Sequence, residues 1–133
     1  MFPSLGNFQL EFQQYDHPRN LCIIVHKNNE PWGKLSVNVP GAELFSNQFF
    51  AKTYSENEGW STELLNFRIR NHQIFTLDHI TVVTRYSEFP LYRITPFGIR
   101  YLIDQTYDKN DIFQCDSVLL KLYEEFCCDN NLI

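Results

Sequence analysis

LCIIVHKNNEPWGKLSVNVP, residues 21 to 40, is the stretch on which the fold turns. Its first seven residues are rich in β-branched and apolar side chains. NNEPWG (28 to 33) supplies turn chemistry, and KLSVNVP (34 to 40) alternates apolar with polar. That order predicts two antiparallel strands joined as a hairpin. Leu35, Val37 and Val39 point one way and Lys34, Ser36 and Asn38 the other, which predicts one wet face on the second strand. Pro40 and Gly41 end the run.

Working outward, NFQLEFQ (7 to 13) sets Phe8, Leu10 and Phe12 against polar neighbours, the period of a half-buried strand. QFFAKTY (48 to 54) is a shorter apolar piece. STELLNFRI (61 to 69) then places Leu64, Leu65 and Phe67 at a spacing that suits one or two helical turns. Strand character returns in NHQIFTLDHITVVTRYSEFPLYRI (71 to 94), with Ile80 and Val82 in one strand, Leu91 to Ile94 in the next, and a turn around Ser87 to Pro90. At TPFGIRYLIDQTYD (95 to 108) Thr95 can cap a helix and Pro96 suits its first position, with Gly98 weakening it. A last helix, capped by Asp116 or Ser117, carries Leu119, Leu120, Leu122, Tyr123 and Phe126 on a broad apolar stripe.

With 133 residues, 44% hydrophobic and 20% charged, the chain fits one domain that needs no metal or disulfide staple. The expected class is α+β: an antiparallel sheet of about five strands with helices packed on one side. Residues 1–95 form a β-rich core with one short helix, and residues 96–133 an acidic helical extension. Cys22, Cys115, Cys127 and Cys128 include no C-x-x-C pair, so neither a zinc knuckle nor a thioredoxin-like site is signalled, and reduced thiols are expected. The N-terminal MFPSLGNFQL lacks the basic residues and apolar run of a secretory signal, and no stretch reaches the length of a membrane span. A cytoplasmic protein is expected.

TYSENEGW (53 to 60) places Ser55 three residues before Glu58, the form of a capping box, and Glu56 and Glu58 suit the positive end of a helix dipole. The competing reading makes these acids a general acid and base, or ligands for a hard metal.

The blocks EPWGKLSVNVP (30 to 40), FFAKTYSENEGW (49 to 60) and EFPLYRI (88 to 94) resemble, in that order, a family of small uncharacterised proteins carried by phages, plasmids and conjugative elements. In that family a strand ending in V-N-L-P is followed by K-x-Y/W-S-E-N-E-G, a short helix and a strand with V-P-V-x-R-L. The matches are Leu35 to Pro40, Lys52 to Gly59 and, more loosely, Phe89 to Ile94. The resemblance implies a genomic setting and no reaction, and it transfers no catalytic residue.

Among His17, His26, His72 and His79, His26 reads as an edge or rim position and His79 beside Asp78 as a local pair, and solvated or hydrogen-bonded histidines are expected rather than metal ligands. No P-loop, nucleophile elbow or dinucleotide fingerprint is present. YRITPFGIRYL (92 to 102) resembles the last strand and following helix of winged-helix regulators, yet the segment before it offers only Arg68 and Arg70 and no basic recognition helix.

Charge is the more informative feature. Residues 1 to 103 hold nine acids and nine bases, whereas residues 104 to 133 hold seven acids against Lys109 and Lys121, so the whole net charge of −5 is C-terminal. Such a surface repels nucleic acid and attracts a basic groove. The sequence therefore predicts a non-enzymatic binding protein of a phage or mobile element, with no cofactor, no metal and no membrane, and with direct nucleic-acid binding disfavoured. Its expected partner is a protein or ribonucleoprotein with a basic groove, such as a CRISPR effector or restriction nuclease. The expected contact residues are Asp104, Asp108, Asp111, Asp116, Glu124 and Glu125, with Tyr107 and Tyr123 as aromatic anchors. The rival readings are a winged-helix-like DNA-binding regulator and a small enzyme using Glu56, Glu58 and His72 or His79.

Overall fold

A computed structural model describes residues 2–52, 59–83, 88–106 and 117–127. Strands β1 (Ser4–Leu5), β2 (Phe8–Gln14), β3 (Leu21–Lys27) and β4 (Glu30–Lys34) pair in chain order as one four-stranded sheet. Next come β5 (Ser36–Val37), β6 (Gln48–Ala51), helix α1 (Gly59–Leu65), the ribbon β7 (Arg68–Ile69) and β8 (His72–Gln73), then β9 (Phe75–Val83) and β10 (Glu88–Ile94). Four of these form a second sheet in the order β5-β6-β10-β9. Helices α2 (Pro96–Thr106) and α3 (Ser117–Phe126) follow. All pairings among the described residues are antiparallel, and the class is α+β. The strands are shared between two four-stranded sheets and a ribbon, where the sequence reading gathered about five into one.

The predicted hairpin is present, but its turn is tighter than NNEPWG suggested. Asn28 (φ 55°) and Asn29 (φ 64°) both adopt the left-handed conformation that a two-residue hairpin turn requires, and asparagine tolerates it. Pairing resumes at once, with Lys27 opposite Glu30 and His26 opposite Pro31. Pro31 is tolerated because β4 is the outer strand of its sheet. A second correction concerns 34 to 40. The Leu35 amide donates to Ile23 O (2.9 Å), while the Leu35 carbonyl accepts from Lys52 N (2.9 Å). Ile23 belongs to the first sheet and Lys52 follows β6 of the second, so the chain changes sheets at this residue. Leu35 and Ser36 are both fully buried as a result, and the expected wet face fails at Ser36.

The core lies where the inner faces of the sheets meet the helices. Phe8, Leu10 and Phe12 supply the alternating face of β2, and the interior strand β3 buries Leu21, Cys22, Ile23 and Val25. In the second sheet Phe49 packs edge-on against Phe75 (5.6 Å, 82°) and stacks on Tyr92 (6.3 Å). Phe50 and Leu91, opposite each other in register, are also buried. Pro90 lies inside β10 at a register shift, so Glu88 to Pro90, read as part of a turn, are strand, while Ser87 lies outside the described residues. Ile80 stays 56% exposed on β9. Phe67 falls just beyond α1 rather than within it, packed partly buried against the core.

Helix α3 carries the expected stripe: Leu119 and Leu122 are buried, with Leu120, Tyr123 and Phe126 packed against the same core. Fully burying a leucine of this kind contributes about 1.5–3 kcal/mol. Ile99, Leu102 and Ile103 of α2 join that cluster, and α3 packs on α2 and β2. The connection between β5 and β6 is anchored by the buried Asn20, whose Nδ2 donates to Ala42 O (2.7 Å) and whose Oδ1 accepts from Leu44 N (3.2 Å).

Candidate interaction surface

Helix α2 is fixed at both ends. The Thr95 hydroxyl accepts from Gly98 N (3.0 Å) and donates to Gln73 O (2.7 Å), which caps the helix and ties it to β8. Pro96 then occupies the first position, where its missing N–H costs nothing. At the other end Gln105 and Ser4 form a reciprocal pair: Ser4 N donates to Gln105 Oε1 (2.8 Å) and Gln105 Nε2 donates to Ser4 O (2.8 Å). The face carrying Gly98, Ile99, Leu102 and Ile103 is buried, so Arg100, Asp104 and Gln105 project outward, with Phe97 and Tyr101 half-buried between the two faces.

These outward residues form one wall of an open cleft of about 450 Å³. Ile69 and Arg70 of the β7–β8 ribbon make the other wall, and Phe97, Arg100, Tyr101, Asp104 and Gln105 complete the lining. The Phe97 ring meets His72 at 4.6 Å and lies nearly parallel to Tyr101 (17°, 6.4 Å). Arg70 and Asn71 form the ribbon's tip in left-handed conformations (φ 53° and 67°). Among the described residues Arg70, Arg100 and Asp104 take part in no ion pair.

Of the contact residues expected from sequence, Asp104 rims this cleft. Glu124 and Glu125 are exposed on α3, where Glu125 Oε1 accepts from Ser46 Oγ (3.3 Å), and Tyr123 is half-buried against the core. Tyr107, Asp108, Asp111 and Asp116 lie outside the described residues, as do Ser55, Glu56 and Glu58. Phe97, Arg100, Tyr101 and Arg70 were not among the expected contact residues. The i, i+4 spacing of Phe97 and Tyr101 was a readable signal that one helix edge is aromatic. The facing ribbon was not readable, because it arrives from a distant part of the chain.

The histidines are exposed or hydrogen-bonded, as expected, but His26 and His79 depart from the settings read for them. His26 sits on an interior strand, its Nε2 2.8 Å from Glu11 Oε1 and its ring stacked on Phe2 (4.8 Å). Asp78 engages Arg93 (3.3 Å) and Gln48 Nε2 (2.9 Å) rather than its neighbour, and His79 is exposed at a left-handed φ of 59°. Among the described residues no three His, Cys, Asp or Glu side chains converge in a way that could hold a metal ion. Cys22 and Cys127 are buried, and Cys127 Sγ donates to Pro96 O (3.5 Å). Helix α1, which precedes the winged-helix-like corner, has Glu63 as its one charged residue, and Arg68 and Arg70 lie in the ribbon. No described helix is long and apolar enough to cross a membrane.

Comparison with models of known protein families, with curated proteins and with solved structures returns no match.

Proposed function

We propose that this chain is a non-enzymatic binding protein that presents its helical layer, α2 and α3, to a macromolecular partner carrying a basic groove. The supporting observation is that Asp104, Glu124 and Glu125 are exposed on helices whose opposite faces are committed to the core, and none of the three is neutralised by an ion pair among the described residues. They belong to the region that holds the whole net negative charge. Unneutralised acids on a rigid helical platform raise the rate of encounter with a positive surface and fix its orientation. Phe97 and Tyr101 beside Asp104 add the aromatic contact area from which interface hot spots are built.

In its specific form the partner is a host-defence nuclease of the CRISPR or restriction type, and the chain inhibits it by occupying the groove that holds nucleic acid. What supports this form is the charge distribution together with the resemblance to proteins of phages and mobile elements.

The test is affinity purification of the tagged protein from its natural host, in parallel with an Asp104→Lys, Glu124→Lys, Glu125→Lys variant. A basic nuclease recovered with the natural chain and lost with the variant is the expected result. Recovery of the same partners by both forms would remove the acidic surface from the mechanism.

A further inference from the structure

We propose that the cleft between α2 and the β7–β8 ribbon is a binding site for a nucleotide, with the phosphate held by Arg70 and Arg100 and the base laid against the rings of Phe97 and Tyr101. The inference goes beyond the acid-mediated binding above: it shares Phe97, Tyr101 and Asp104 with that surface and adds Arg70 and Arg100.

Two guanidinium groups border the cleft and neither is spent on a carboxylate among the described residues, even though Asp104 stands one helical turn from Arg100. A guanidinium presents planar, forked donors that match phosphate oxygens in pairs, and it remains charged at any physiological pH. Placed on two separate elements, one on a helix and one on a ribbon tip, the pair can grip a phosphate from two sides. Beside them lie the rings. Phe97 and Tyr101 lie nearly parallel on the helix edge that lines the cleft, and His72 of the ribbon packs against Phe97. Aromatic faces of this kind accept any nucleobase, because every base has a π face. Asp104 adds an acceptor for a ribose hydroxyl or a base amino group. The volume of about 450 Å³ is in the range of small-ligand sites.

The acidic net charge does not oppose this. It is set by the residues from 104 onward, whereas the cleft itself holds two arginines against a single carboxylate. Arg70 adopts a left-handed backbone, which any residue with a Cβ does at some cost, and it does so at the ribbon tip, where it lines the cleft together with α2 residues.

The experiment is titration of the full chain with adenosine 5′-monophosphate by calorimetry, and with a fluorescently labelled single-stranded oligonucleotide by anisotropy, at low and moderate salt. Binding of either is expected. Arg100→Gln, Arg70→Asn and Tyr101→Leu should each weaken it about tenfold or more, and Arg100→Lys should fall between. Asparagine is chosen at 70 because it tolerates the left-handed conformation. Both arginines are exposed and take part in no ion pair among the described residues, so the urea midpoints of their variants should match the parent. Binding of the mononucleotide identifies a free nucleotide as the ligand, and binding of the oligonucleotide alone identifies a strand. Saturation by neither at millimolar mononucleotide and micromolar oligonucleotide, or affinities indifferent to both arginine changes, would overturn the proposal.

Discussion

Gly98 lies so close to Ile74 that a Cβ added to it would stand 2.7 Å from the Ile74 carbonyl oxygen and 2.9 Å from its Cγ2. Helix α2 can approach the segment between β8 and β9 this closely only because the third helical residue has no side chain. Read from sequence, Gly98 weakens the helix; in the fold it permits the contact that seats the helix. Gly98→Ala should therefore destabilise the protein, although alanine is the better helix former by about 1 kcal/mol. The obstacle is backbone and cannot rotate aside, so the overpacking cost of about 1–3 kcal/mol should outweigh that gain. Urea denaturation checks this, and a rise in the midpoint would show that Ile74 yields freely.

Thr95 makes the second local prediction. Its hydroxyl both caps α2 and donates to Gln73 O. Thr95→Ala should lower stability by about 1–2 kcal/mol. Thr95→Ser keeps the oxygen and should stay within about 0.5 kcal/mol of the parent. Equal losses in the two variants would point to the threonine methyl group instead. Either outcome is read from thermal melts.

The elements governed by neighbouring residues were legible in the sequence. β2 and β3 follow from Phe8, Leu10, Phe12 and the β-branched run at 21 to 27, and α3 follows from its Leu119, Leu122 and Phe126 stripe. Thr95 and Pro96 marked the start of α2 to the residue. What escaped depends on contacts remote in the chain. No local pattern announces that Leu35 bonds into one sheet through its nitrogen and into the other through its oxygen, and that bond pattern is why Ser36 is buried. The sequence pairs Asp78 with adjacent His79, but the backbone turns left-handed at His79 beside a register shift, and Asp78 instead meets Arg93 from the adjoining strand β10 and Gln48 from β6 beyond it. The candidate surface divides the same way. Its acidity was visible by counting, whereas the arginine and aromatic walls of the cleft needed the fold to bring residues 69 to 72 against α2.

Ser36 carries the third prediction. Its Oγ accepts the Ile23 amide proton (2.9 Å) at the point where the two sheets join, and Tyr15 Oη lies 3.1 Å away. Ser36→Ala removes the acceptor and leaves a buried N–H without a partner. The loss should be about 1–3 kcal/mol, larger than for an exposed serine. Amide hydrogen exchange at Ile23 gives the sharper readout: protection there should fall more than at Val25, and an equal fall at both would place the effect elsewhere.

Tyr15 supplies the pH dependence. Burial pushes its phenol from 10.0 up to about 12, because desolvation penalises the phenolate more than the Ser36 hydrogen bond favours it. The unfolded chain releases this proton near pH 10 while the folded chain still holds it. Between about pH 10 and 12 the folded state thus binds more protons, and stability must fall as pH rises through that window, being fully present below it. Tyr92, also raised by burial, adds a contribution of the same sign. Tyr15→Phe should lower stability at pH 8, since the bond to Ser36 O is gone, yet flatten the decline between pH 10 and 12 without abolishing it. Urea midpoints measured at intervals across this range for parent and variant test the assignment, and identical slopes would transfer the titration to another group.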